Sequence, residues 1–331
     1  MEKIYIVTGA SGFLGREVCC QLLSQGKQVR TLSRKSSTRG HIPEGVKIFA
    51  GNILDADSID RLFASCSGPE IVAIHCAGKI SVRKHDKNGY LTNVEGTRNM
   101  INACRKYSAS KLVYVSSVDA LFNPGDGEII YEPEVFYLNK PETDYARGKC
   151  DASALVMKAS GLGLNSTVVM PSCIIGPGDY TGGLVTTLFT SYIKGIPPVS
   201  ISGGYDFVDV RDVAAGIILA ADKAANGTKY ILSGTYRSVT EVFDIMSEEL
   251  GKKKTKVTFP AKLLYPASPV ITEVAAIKHA EPALTSSAIK LLESRAVFSH
   301  EKAEKELGYT IRPIEKTIED TVKFLRETRN I

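Results

Sequence analysis

Short apolar runs alternate with amphipathic stretches through the first half of the chain. Runs rich in Ile and Val, bounded by glycine or polar clusters, predict strands at Ile4–Val7, Gln28–Leu32, Lys47–Ala50, Ile71–His75, Lys111–Ser116 and Asn165–Met170. Between them, apolar positions at helical spacing predict helices over Leu14–Gln25, Ala56–Cys66, Val94–Tyr107 and Tyr145–Ser160. Strands alternating with helices in this way predict an α/β chain with a doubly wound parallel sheet covered on both faces. A later run, Lys229–Leu232, brings the expected total to six or seven strands.

After Met170 the alternation breaks. Pro171, Gly176, Pro177, Gly178, Gly182, Gly183, Pro197 and Pro198 punctuate a less regular region bearing Tyr and Lys. The expected division is a nucleotide-binding domain over residues 1–170, completed by about 207–233. Residues 171–206 and 234–331 would form a smaller substrate lobe. Ser299–Tyr309 predicts a late helix stopped by Gly308.

Composition narrows the class of function. Apolar residues make up 44% and charged residues 23%, an ordinary globular balance, and the net charge of +5 is too mild to predict nucleic-acid binding. The first apolar run is too short for a signal segment or a membrane span, so a cytoplasmic protein without a membrane partner is expected. Seven cysteines include no Cys-x-x-Cys spacing. Reduced thiols are expected, with neither a disulfide framework nor a metal site.

The candidate chemistry begins directly after the first strand. Thr8-Gly9-Ala10-Ser11-Gly12-Phe13-Leu14-Gly15 joins that strand to an amphipathic helix. A glycine-rich turn in this setting brings backbone N–H groups, and the positive end of a helix, against a pyrophosphate. Tyr145 and Lys149 stand four residues apart and project from one helical face. A tyrosine with a pKa of ~10 needs a drop of roughly 3 units, about 4 kcal/mol, to work near neutrality. A positive charge ~4 Å away supplies about 4 kcal/mol at an effective dielectric of ~20. Lysine is therefore the expected means of lowering the tyrosine.

These motifs resemble the extended branch of the short-chain dehydrogenase/reductase superfamily, which carries Thr-Gly-x-x-Gly-x-x-Gly at this place. The resemblance implies a Rossmann-type fold and an oxidoreductase. Further matches are Gly51-Asn52-Ile53 after the third strand, where the family has Gly-Asp-hydrophobic, and His75-Cys76-Ala77-Gly78 after the fourth. Ser116-Ser117, Asn93 in Asn-x-x-Gly-Thr, and Pro171 to Pro177 in Pro-x-x-x-x-Gly-Pro complete the set. The resemblance implies that Ser117, Tyr145 and Lys149 form the catalytic group. Gly9, Ser11, Gly12, Phe13, Leu14, Gly15, Asn52, Ile53, Cys76, Ala77, Gly78, Asn93, Pro171 and Ser172 would line the cofactor with Tyr145 and Lys149. Asn93 is equally readable as a helix N-cap, and His75 as a structural strand-end residue.

Two features direct the cofactor and substrate expectations. The stretch Val29–Arg39 has no acid to hold a ribose 2′-hydroxyl. Its Ser33, Arg34 and Lys35 suit a 2′-phosphate, so NADP(H) is expected over NAD(H). Met170 replaces the arginine common in sugar-nucleotide epimerases. The segment Phe122–Thr143 carries Asp126, Glu128, Glu132 and Glu134, and is expected to cross the active site, where its acids would repel a diphosphate. The expected substrate is accordingly a small carbonyl or alcohol compound, reduced with NADPH as in the dihydroflavonol-reductase-like and 3β-hydroxysteroid-dehydrogenase-like branches. The alternative is a nucleotide-sugar epimerase or dehydratase with tightly bound NAD. By analogy with such enzymes, a homodimer through Val94–Tyr107 and Tyr145–Ser160 is expected.

Overall fold

The computed structural model describes residues 2–34, 41–66, 68–123, 127–195, 200–254, 258–268, 285–293 and 295–329. The first half runs β1 (Lys3–Thr8), α1 (Phe13–Ser24), β2 (Gln28–Ser33), β3 (Lys47–Ala50), α2 (Ala56–Ala64), β4 (Glu70–His75), α3 (Lys87–Lys106) and β5 (Lys111–Val115). There follow β6 (Ile129–Ile130), α4 (Asp144–Gly161), β7 (Ser166–Pro171), β8 (Cys173–Ile175), α5 (Leu184–Ile193) and β9 (Ser200–Ile201). Beyond them come β10 (Gly204–Asp209), α6 (Val210–Lys223), β11 (Lys229–Leu232), β12 (Thr235–Ser238), α7 (Val239–Glu249) and β13 (Thr258–Phe259). The last described elements are α8 (Ser286–Glu293), β14 (Val297–Phe298), α9 (Glu301–Leu307) and α10 (Ile314–Arg329).

Seven parallel strands form the central sheet in the order β11-β7-β5-β4-β1-β2-β3. Successive residues of a strand face opposite sides, and the sequence uses both. Ile4 and Ile6 enter one core with Leu112 and Tyr114, while Tyr5 and Val7 enter the other with Val113 and Val115. The chain reverses direction across the sheet between β1 and β4, where Thr8 pairs with His75. Loops leaving the carboxyl ends of two strands diverge at such a point, which opens the crevice where ligands bind in this architecture.

A second sheet, β12-β10-β8, stands apart from the first. Two buried ion pairs fasten the following helix to the C-terminal segment. Asp212 of α6 accepts from Arg312 N at 2.8 Å and from Arg312 Nη2 at 2.6 Å, while Arg211 bridges Asp209 and Asp320. Helix α9 ends at Gly308, whose φ of +77° closes it as the sequence expects. Among the described residues, no helix is long and apolar enough to cross a membrane, and all seven cysteines are free thiols.

Candidate active site

The glycines of the first turn are required by close approach. Gly9 has a φ of +77°, and a Cβ there would meet Ala77 N at 2.9 Å; on Gly15 it would lie 2.3 Å from Gly9 O. Gly12 precedes α1, and no side chain caps the helix, so the first-turn amides can donate to an anion. Ser11, Phe13 and Leu14 are half-buried around this turn. Opposite it, Ala77 N donates to Thr8 Oγ1 at 3.1 Å. The same hydroxyl lies 2.7 Å from His75 Nδ1, and His75 Nε2 lies 3.2 Å from Thr97 Oγ1. Fully buried, His75 is held down to about 3 and stays neutral, a structural residue. Burial pushes the neighbouring Cys76 thiol up to about 12.

Several other expected cofactor residues have work within the fold. Asn93 lies inside α3, whose N-cap is Asp86, accepting from Gly89 N. The N-cap reading of Asn93 is therefore corrected. Its buried amide clamps the loop after Gly78, accepting from Lys79 N at 2.8 Å and donating to Lys79 O at 3.1 Å. Ile53 is buried, and a Cβ on Gly96 would come within 2.7 Å of Ile53 Cδ1, so its side chain packs on α3. Asn52 is exposed and accepts from Leu54 N at 3.1 Å. Pro171 ends β7 beside Leu232, and Ser172 follows it, buried.

Strand β5 leads through Ser116 and Ser117 into a short 3-10 turn, Val118–Ala120. Ser116 is spent on the interior, its hydroxyl 2.7 Å from Ser153 Oγ. Ser117 turns the other way and accepts from Asp119 N at 3.2 Å. Helix α4 starts after Thr143, which caps it by accepting from Ala146 N at 3.1 Å. At the second residue of the helix, the Tyr145 phenol meets the Ser117 hydroxyl. Lys149 is buried one turn further, donating to Val115 O at 2.7 Å, with Nζ 5.1 Å from the Tyr114 ring centroid. A Cβ on Gly78 would lie 3.3 Å from Lys149 Nζ, so this ammonium borders the turn after β4.

Burial, then the Asp119 charge, pushes the Tyr145 phenol well above its ordinary range, and only Ser117 pulls it down. Burial likewise holds the Lys149 ammonium down to about 8. The Lys149 ammonium is directed at Val115 O. Asp119, two residues past the serine pair, escaped the sequence reading. An acid in so apolar a stretch was the available signal.

The flap also departs from expectation. Glu132 accepts from Ile231 N at 2.9 Å, Lys229 Nζ reaches Glu134 O at 2.8 Å, and β6 pairs with β14. The Glu132 carboxylate serves the outer edge of the sheet, where β11 offers unpaired amides, while Glu134 takes part through its backbone carbonyl. Glu142 pairs with Lys290, and Asp126 lies outside the described residues. Met170 is fully buried in the core.

The family pattern that matches residues 5–233 is described as the NAD dependent epimerase/dehydratase family. The chain belongs to that family. It is an NAD(P)-dependent oxidoreductase of the epimerase/dehydratase group. The sterol demethylase protein B of Methylococcus capsulatus is 28% identical over 97% of this chain and 98% of its own. The solved structure of gox2253 superposes with a TM-score of 0.83 at 29% identity, covering 98% of both chains. The Thermus thermophilus UDP-glucose 4-epimerase, solved with NAD, superposes with a TM-score of 0.77 at 23% identity, covering 98% of this chain and 99% of its own.

The expected preference for NADP(H) is corrected by these findings. The family is defined by NAD, and the Thermus thermophilus neighbour holds NAD. The end of β2 explains how the sequence misled. Ser33 is buried and turns its hydroxyl to Arg34 O at 3.4 Å, and Arg30 is bound to Ser65. Arg34 is exposed at the strand end, and Lys35 lies outside the described residues.

Proposed function

We propose that the chain uses NAD to oxidise and re-reduce a carbinol carbon of a nucleotide sugar, as an epimerase or dehydratase of its family does. The observation that carries the hydride chemistry is the meeting of Tyr145 and Ser117 one turn from the buried Lys149. Bound NAD would supply the hydride acceptor. Gly9, Gly12 and Gly15 fit its pyrophosphate, since their turn admits no Cβ and α1 presents uncapped amides. Tyr145 removes the carbinol proton in oxidation and returns it in reduction. Ser117 donates to the same oxygen, and Lys149, beside Gly78, would hold the nicotinamide ribose.

Two arguments against a nucleotide sugar have lost their basis. The family is described as NAD dependent, and the Glu132 carboxylate is taken up by Ile231 N at the sheet edge. A second reading is favoured by the near-full-length similarity to the sterol demethylase protein: an NAD(H)-exchanging dehydrogenase of an apolar secondary alcohol.

One experiment separates them. The protein is purified without added nucleotide, its bound nucleotide is extracted and identified, and it is then offered UDP- and dTDP-hexoses or hydroxysteroids with NAD. Retained NAD with conversion of a nucleotide sugar, without net reduction of added NAD, is the expected result. Protein free of nucleotide that reduces added NAD with a hydroxysteroid would replace the first reading with the second.

A further inference from the structure

The second sheet reaches the turn after β5 through one side chain. Tyr205 of β10 is buried, and its phenol donates to Asp119 Oδ1 at 3.0 Å. Phe207 of the same strand and Phe298 of β14 hold its ring edge-on, with centroids 6.4 and 6.5 Å away. Burial keeps the phenol well above its ordinary range, so it remains the donor. Asp119 lies in the 3-10 turn that Ser117 caps, and its backbone N donates to Ser117 Oγ at 3.2 Å. Two successive hydrogen bonds therefore join the second sheet to the Ser117 hydroxyl.

A serine hydroxyl carries one proton and two acceptor lone pairs. With a lone pair engaged by Asp119 N, fewer directions are left to the proton, and the position of the 3-10 turn sets them. That turn is short, and its own backbone bonds run from Ala120 N to Ser117 O at 3.1 Å and from Leu121 N to Val118 O at 3.0 Å. Tyr205 adds a bond from outside it. We propose that Tyr205 is a positioning residue for Ser117: by holding the Asp119 carboxylate, it keeps the turn in place and the Ser117 proton free for the substrate oxygen. Left without that donor, the half-buried carboxylate takes the one side-chain proton its own turn offers, that of Ser117. The serine is then lost to the substrate.

The inference rests on the proposed donation by Ser117, so the bond and the chemistry are read separately. Amide hydrogen exchange of the full chain loaded with NAD, followed by NMR, reads the Asp119 N–H that Ser117 accepts. Tyr205→Phe keeps the ring and removes the donor. It should speed exchange of that amide about tenfold and leave the Val113 amide of β5 unchanged. The rate of reduced nicotinamide formation is then measured with whichever of UDP-hexose, dTDP-hexose or hydroxysteroid the wild type oxidises. Tyr205→Phe should lower it about tenfold or more, with NAD affinity within about twofold of wild type. In a Ser117→Ala background the same substitution should cost nothing further. Should Tyr205→Phe fail to fold, Asp119→Ala breaks the bond from its other side and should give the same two results. An amide at position 119 that exchanges at the wild-type rate overturns the proposal, as does an equal loss of rate with and without Ser117. A wild type that oxidises none of the three fails the substrate readings instead, and the amide exchange still decides whether Tyr205 holds the turn of Ser117.

Discussion

Lys149 illustrates what a functional residue costs its fold. Buried with Val115 O as its hydrogen-bond acceptor, it holds its proton only to about pH 8, against 10.5 for a free lysine. A folded-state value below the unfolded one means the unfolded chain binds the proton more tightly. The penalty is therefore full below pH 8 and fades as pH rises toward 10.5. Lys149→Met should thus stabilise the fold at pH 7, by on the order of 1 kcal/mol after the lost hydrogen bond to Val115 O is subtracted. Thermal denaturation at pH 7 and pH 10 would check this: the variant's advantage should shrink at the higher pH, and its NAD binding should be lost. The pairing of Tyr145 with Lys149 was legible, because i and i+4 share a helical face. Their electrostatics were not, since desolvation depends on what covers them and a sequence does not display that. The NADP(H) expectation drawn from Ser33, Arg34 and Lys35 is overturned by the family, described as NAD dependent.

Among the elements, most of the sheet was readable, because a strand buried on both faces is a continuous apolar run, as in β1, β4, β5 and β7. Helix α3 was expected to start at Val94 and starts at Lys87. Its first two turns are polar and carry no periodic apolar stripe, and the signal for its start was Asp86, an N-cap accepting from Gly89 N. The second sheet was missed because β8, β10 and β12 are short and their partners lie far along the chain. Asp212 docks α6 to the C-terminal segment through Arg312. Asp212→Ala should cost about 2 kcal/mol, because it leaves a half-buried guanidinium and the Arg312 amide without their carboxylate. Equilibrium urea unfolding would measure it. Lys316→Ala, whose pairs with Glu319 and Asp320 are more exposed, should leave the urea midpoint unchanged.

At the scale of the molecule, the parallel sheet creates the site. The reversal between β1 and β4 sets the Gly9–Gly15 turn beside Cys76–Gly78, and β5 and α4 deliver Ser117, Tyr145 and Lys149 to the same edge. Both substrate readings require a hydride to leave a carbinol carbon for NAD as Tyr145 takes its proton. The most direct test is rapid-mixing absorbance at 340 nm, following reduced nicotinamide when NAD-loaded protein meets UDP-hexose, dTDP-hexose or hydroxysteroid. Wild type should show formation with at least one of them. Tyr145→Phe should bind NAD within about threefold of wild type and lose at least about 100-fold in the rate of formation. A Tyr145→Phe rate within a few-fold of wild type would contradict the assignment of Tyr145 as the acid and base.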